Sequence, residues 1–220
     1  MNQALANQAL ALIEIGGWSP AMVILDAMEK TAGVRVIQTE LNDSPGVCLK
    51  LHGPLADIEA AARAAEDTAR AMGSAIVAHV IPNPSPLSSA AYVAPPDFSP
   101  LIEQLTVQNP DTKPETTADT TAETTMDNQF QAPFAVGLIE TQGFTAVFAA
   151  IDAALKTAAV EVLAREKLGG GYITVLIKGD VAAVQAAVEA GKARVEGLGR
   201  LVAAHVIASP SRGVLSLLPK

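Results

Sequence analysis

The chain has a single cysteine among 220 residues, and aromatic side chains make up only 4% of it. One cysteine excludes an intrachain disulfide and fits a reducing, cytosolic setting. Few aromatics, with an apolar content carried by alanine and valine, favour close helix–sheet packing over roomy ligand pockets. Basic residues are in the minority: 15 lysines and arginines face 23 aspartates and glutamates, for a net charge of −8. A phosphate-backbone partner calls for a clustered basic face, so no nucleic acid is expected. No apolar run reaches the roughly 18 residues that suggest a membrane span. Met1-Asn2-Gln3 has neither the basic start nor the cleavage pattern of a signal peptide. With 50% hydrophobic and 17% charged residues, the chain reads as a globular, cytoplasmic protein without a membrane partner.

Reactive constellations are also missing. His52, His79 and His205 are scattered, and no HExxH, CxxC or His/Asp cluster has ligand spacing. No metal, cofactor or catalytic residue is therefore expected. Cys48, beside Val47 and Leu49, reads as a buried, inert thiol in a strand. Gly169-Gly170-Gly171 lacks the Lys-Ser/Thr that completes a phosphate-binding loop. Glu14 and Glu140 recur at one strand end, which suggests a shared structural contact rather than a catalytic pair. The sequence does not read as an enzyme.

What is present is repetition. Leu12-Ile13-Glu14-Ile15-Gly16-Gly17-Trp18 returns as Leu138-Ile139-Glu140-Thr141-Gln142-Gly143-Phe144, and Ala78-His79-Val80-Ile81 returns as Ala204-His205-Val206-Ile207. Ile13 and Ile139, Asp26 and Asp152, His79 and His205 are each 126 positions apart, so the register holds without a gap. Each copy, at roughly 80 residues, can bury its own core. The expected organisation is a diverged first domain over 8–84, a linker over 85–133, and a second domain over 134–220. The linker is proline-rich at first and later acidic and threonine-rich, too poor in large apolar side chains to offset its ordering entropy. Within it, Phe98 to Val107 is predicted to form a short helix on the first domain, matched by Gly213 to Leu218 after the second.

In the second copy, Phe134–Glu140 is an apolar run of strand length. Val147, Ala150, Ile151, Ala154 and Leu155 fall at helical spacing. Val160–Glu166 and Tyr172–Lys178 read as strands. Asp180 is a candidate N-cap for a helix bearing Val181, Val184 and Val188, and Leu201–Ile207 closes the unit. The order β-α-β-β-α-β predicts an α+β fold of ferredoxin-like type: two tandem domains, each a four-stranded antiparallel sheet with both helices on one face. The other sheet face must be covered by something else.

These residues carry a resemblance. Val136 to Phe144, the Asp152-Ala-Ala-Leu-Lys156-Thr-Ala stretch, Arg165 to Gly171 and Val175 to Val184 together resemble the bacterial microcompartment shell domain, and the first copy looks like a more diverged member. Two unpermuted domains resemble a tandem shell protein, nearest in layout to that of carboxysomes. The resemblance implies a structural role in a microcompartment shell. It also implies a homotrimer that imitates a hexamer, with stacking of trimers open, other shell proteins as partners, and small metabolites passing a central pore. Lys30 and Lys156 match the family's edge lysine, whose stem packs against its twin across neighbouring units. Lys167, Leu168, Gly169, Gly170 and Gly171 match the pore loop, where glycine lets backbone N–H groups approach an axis. In the first copy that loop lies around Asn42, Asp43, Ser44 and Pro45, without the lysine, which implies alternating loops and a weaker preference for anions. An arginine common in the family before the last proline is absent at Asn83-Pro84 and Ser209-Pro210, which implies weaker lateral tiling or a need for mixed layers. The same fold plan also serves trimeric regulatory proteins that bind small metabolites between subunits, and this is the competing reading.

Overall fold

A computed structural model describes residues 8–42, 46–85, 88, 92–102, 104–110 and 134–218. The first domain runs β1 (Ala9–Gly16), α1 (Trp18–Thr31), β2 (Arg35–Asn42), β3 (Gly46–Gly53), α2 (Leu55–Met72) and β4 (Ile76–Ile81). Three short strands follow: β5 (Phe98–Ser99), β6 (Gln104–Leu105) and β7 (Val107–Gln108). The second domain repeats the plan with β8 (Ala135–Gln142), α3 (Phe144–Thr157), β9 (Glu161–Gly169), β10 (Tyr172–Gly179), α4 (Val181–Arg194) and β11 (Arg200–Ile207), then adds α5 (Arg212–Leu217). Among the described residues, no helix is long and apolar enough to cross a membrane.

Alternation sets the strands. Along β1, Ala9, Ala11, Ile13 and Ile15 point into the core, while Leu12 and Glu14 face the other way. β1 pairs antiparallel with β3 and β4, and β8 pairs with β10 and β11 in the same register, Leu10 opposite Ile81 as Val136 is opposite Ile207. α2 turns an alanine-rich stripe, Ile58, Ala61, Ala65 and Ala69, to the sheet and stops at Gly73 in the left-handed conformation. Asp180 caps α4 as read from the sequence, its Oδ1 accepting the Ala183 N–H at 3.0 Å.

Two features depart from expectation. The second sheet has four strands, in the order β11-β8-β10-β9, but the first has five, β4-β1-β3-β2-β7. The predicted helix over Phe98–Val107 is instead a β-hairpin, β5 with β6, followed by β7 on the open edge of β2. Pro100 withholds a backbone donor, and the edge of β2 offers unpaired ladder groups that a strand satisfies and a helix does not. The acidic, threonine-rich stretch falls almost wholly outside the described residues.

The second sheet's outer face is covered by the first domain. Val136, Leu138 and Leu176 on that face join α1 side chains in one continuous core, to which Ile207, Val214 and Leu217 also belong. α1 is therefore apolar nearly all round, with Trp18, Met22, Ile24, Leu25 and Met28 fully buried between its own sheet and the neighbouring domain.

Candidate functional site

The glycine loop lies between β9 and β10. Gly169, Gly170 and Gly171 take φ of 85°, 58° and 80°, three left-handed residues in succession that side chains with a Cβ adopt only at a cost. Gly170 and Gly171 are exposed, while Leu168 turns inward and is buried. The loop is anchored by the end of β8: the Gly143 N–H donates to the Gly171 carbonyl at 2.9 Å, and Gln142 Nε2 to that of Gly170 at 3.4 Å.

At the base of this loop the hairpin residue Gln104 acts as a substitute strand. Its Oε1 accepts the Lys167 N–H at 3.0 Å, and its Nε2 donates to the Lys167 carbonyl. Beside it, burial pushes the Glu166 carboxyl up to about 7, and the Gln104 side chain offsets only part of that rise. Gln38 repeats the device in the first domain, donating from Nε2 to the Ala94 carbonyl at 2.8 Å and accepting the Ala94 N–H at 3.0 Å. The Leu41 N–H donates to the Thr106 carbonyl at 2.8 Å. The hairpin segment thus ties the strand leading into the first loop to the strand leading into the second. Sequence reading missed this strap, because a glutamine amide that imitates a peptide group has no spacing signature. Asn42 is exposed at the end of β2, and Asp43, Ser44 and Pro45 lie outside the described residues.

Lys30 and Lys156 occupy the last turns of α1 and α3. Each is exposed and bonded to the aspartate one turn back, Lys30 to Asp26 and Lys156 to Asp152, both at 2.6 Å. Such exposed pairs contribute little and leave the ammonium groups available to other partners. They sit on separate domains, apart from the glycine loop.

Glu140 is fully buried at the seam between the domains. Its Oε2 accepts the Ser19 N–H at 2.9 Å and its Oε1 the Trp18 N–H at 3.4 Å. α1 has no side-chain cap of its own and no acid in its first turn, so the second domain supplies both the acceptor and the charge its N-terminus favours. Burial raises the pKa of Glu140, opposed first by these backbone bonds. In return, Asp26 accepts the Ser211 N–H at 2.8 Å and Glu29 the Gly213 N–H at 2.7 Å. The shared contact read from the recurrence of Glu14 and Glu140 is thus formed by Glu140, while Glu14 is exposed.

Cys48 is half-buried, and burial pushes its thiol up to about 11, which keeps it protonated and unreactive near neutral pH. Among the described residues, no group of three or more His, Cys, Asp or Glu side chains is placed to hold a metal.

Comparison with known proteins agrees with this duplicated architecture. The family model of the BMC domain matches twice, over residues 9–84 and 135–210. The chain belongs to the BMC domain family. It is 45% identical over 86 residues to the bacterial microcompartment shell protein PduA of Citrobacter freundii, a match that takes in 39% of this chain and 92% of that protein. It is 47% identical over 90 residues to the carboxysome shell protein CcmK2 of Thermosynechococcus vestitus, covering 40% of this chain and 87% of that one. A solved microcompartment protein from Desulfitobacterium hafniense DCB aligns over 94% of this chain and 97% of its own, at 23% identity and a TM-score of 0.35, too low to compare how domains are placed. This tandem BMC protein is structural and not an enzyme, in keeping with relatives that are shell proteins.

Proposed function

We propose that this tandem BMC protein forms a homotrimer of pseudo-sixfold symmetry that inserts into the shell of a cytoplasmic bacterial microcompartment, beside other shell proteins, and leaves a central passage for small metabolites. The observation that carries this reading is the seam between the two domains: one BMC domain buries the helix of the next against its sheet, a contact that repetition around an axis continues. Shell proteins of one-domain length, such as those matched above, supply the analogy for a layer.

In such a ring the loops at the axis alternate. Three present Gly169, Gly170 and Gly171 with Lys167 at the base, and three present the stretch from Asn42 through Asp43, Ser44 and Pro45. Backbone N–H groups of the glycine loops attract anions, and Asp43 opposes them, so the passage discriminates by size more than by charge. Lys30 and Lys156 lie at the rim, where their stems pack across the seam to a neighbouring unit. The missing arginines before Pro84 and Pro210 make mixed layers the expected mode of tiling.

Multi-angle light scattering of the purified chain, with negative-stain microscopy of the same peak, tests the reading. A mass about three times 22.6 kDa and a hexagonal outline are expected. A compact monomer or an ordinary twofold dimer sinks it.

A further inference from the structure

The two domains carry the same acid on the same strand and surround it differently. Glu40 of β2 and Glu166 of β9 are 126 positions apart. Glu40 is paired with Lys50 of β3, whose Nζ also donates to Gln38 Oε1 at 2.9 Å. In the second domain Leu176 and Ala164 take the places of Lys50 and Gln38. Glu166 is 4% exposed, yet its Oε2 has no hydrogen-bond partner among the described residues. The acid is repeated and its cation is not.

Gln104 hydrogen-bonds the Glu166 carboxyl and, with the same amide, both backbone groups of Lys167. Thr174 of β10 stands opposite Glu166, and Glu140 of β8 stands opposite Thr174 with its carboxyl turned to the start of α1. Arg165 and Lys167 flank Glu166 on β9 and, by strand alternation, point to the other face. On the hairpin side, Asp97 is exposed and engaged by Thr106 Oγ1 at 3.0 Å. Among the described residues no charged neighbour offsets the burial that holds Glu166 at about 7.

The hairpin over it is lightly held. β5 and β6 are two residues each, and Phe98, Leu101 and Leu105 are 58%, 92% and 44% exposed. Its flanks are fixed to the first domain, Ala94 through Gln38 and β7 through the edge of β2, where Val107 is buried. The piece between can part from β9 while both flanks stay. It also covers the base of the glycine loop: a Cβ on Gly169 would stand 3.7 Å from Ile102 Cγ2.

We propose that this hairpin is a latch on β9 worked by Glu166. As the neutral acid, Glu166 rests under Gln104; as the carboxylate, it admits water, parts Gln104 from Lys167 and uncovers the base of the glycine loop. A carboxylate with a single donor is costlier in a dry site than in an open one, so proton loss favours the parted form. Glu40, held by Lys50, has no such drive, and only the second-domain end of the strap lets go. The switch lies within one chain and does not rest on the trimer.

Hydrogen–deuterium exchange of the full chain at pH 6 and pH 8, corrected for the intrinsic pH dependence of exchange, tests the latch. Glu166→Gln keeps the side-chain shape and cannot ionise, and Gln104→Ala removes the clasping amide. The carboxyl titrates near 4.5 when open and near 7 when covered, so opening of the hairpin and of the Lys167 region is expected to rise about tenfold between these pH values. In Glu166→Gln it is expected to stay level, and in Gln104→Ala to be high at both. Peptides from β1 and β3 serve as the reference. A level response in the unaltered chain, a rise that persists in Glu166→Gln, or a rise shared equally by β1 and β3 overturns the proposal. So does a hairpin that stays protected in Gln104→Ala.

Discussion

Glu166 is the residue whose titration the fold alters most visibly within the working pH range. Unfolded, its carboxyl titrates near 4.5, and in the folded chain burial moves it to about 7. Between those values the folded state holds the extra proton. The stability that Glu166 contributes is therefore full below about pH 4.5 and lost as the pH rises through about 7, a span worth roughly 3 kcal/mol. Glu29 and Glu140 are raised by burial as well and slope the same way. Burial lowers the pKa of His52 and His205, which tilt stability the other way below about pH 6.5. Urea-unfolding midpoints from pH 5 to 8 are therefore compared with those of Glu166→Gln, which is expected to gain on the unaltered chain as the pH rises; an unchanged slope in that variant contradicts the assignment. None of this was legible in the sequence. Glu166 ends an alternating strand like any solvated carboxylate, and only the Gln104 strap and the neighbouring domain bury it. By contrast, the Asp180 cap was legible, because capping depends on a side chain and a backbone three residues apart.

Among the elements, α4 shows how closely the repeat was fitted. A Cβ on Gly191 would lie 2.6 Å from Ile139 Cδ1 and 3.0 Å from the Ala150 carbonyl oxygen, so α3 and α4 approach through that glycine. The first domain has Ala65 at the equivalent position and packs it without exposure. Gly191→Ala is expected to destabilise the second domain by about 1–3 kcal/mol despite the better helix propensity of alanine, because the Ala150 backbone stands in the way as well as the Ile139 side-chain tip, and only the tip can swing aside. Thermal unfolding decides it, and a variant of equal or higher midpoint would refute the close approach. The order of strands and helices could be read from the sequence because alternation and helical spacing are local. The β5–β7 segment could not. Leu101, Ile102 and Leu105 fall at helix-compatible spacing, and what overrode it was the demand of open strand edges elsewhere in the chain.

For the whole molecule, assembly and stability are linked. If the proposed trimer forms, ligation of the folded chain by its own copies raises the melting temperature as concentration rises. A hundredfold increase in protein is expected to lift the midpoint by several degrees; a midpoint indifferent to concentration argues against association. The tandem itself was plain in the sequence, since a gapless interval of 126 residues is arithmetic. Which of the two equivalent helices is sheltered was not, because α1 and α3 are both apolar over most of their length and end in the same Asp-Ala-x-x-Lys-Thr pattern. The contact of Glu140 with the start of α1 has a final consequence. Because it lies within one polypeptide, half the joints of the proposed six-domain ring exist before any two chains meet. In that ring two encounters, not five, must each overcome the loss of free tumbling, and the two kinds of loop alternate strictly around the axis. A ring made this way admits no mixed order of its halves, so each half is free to diverge without the other following.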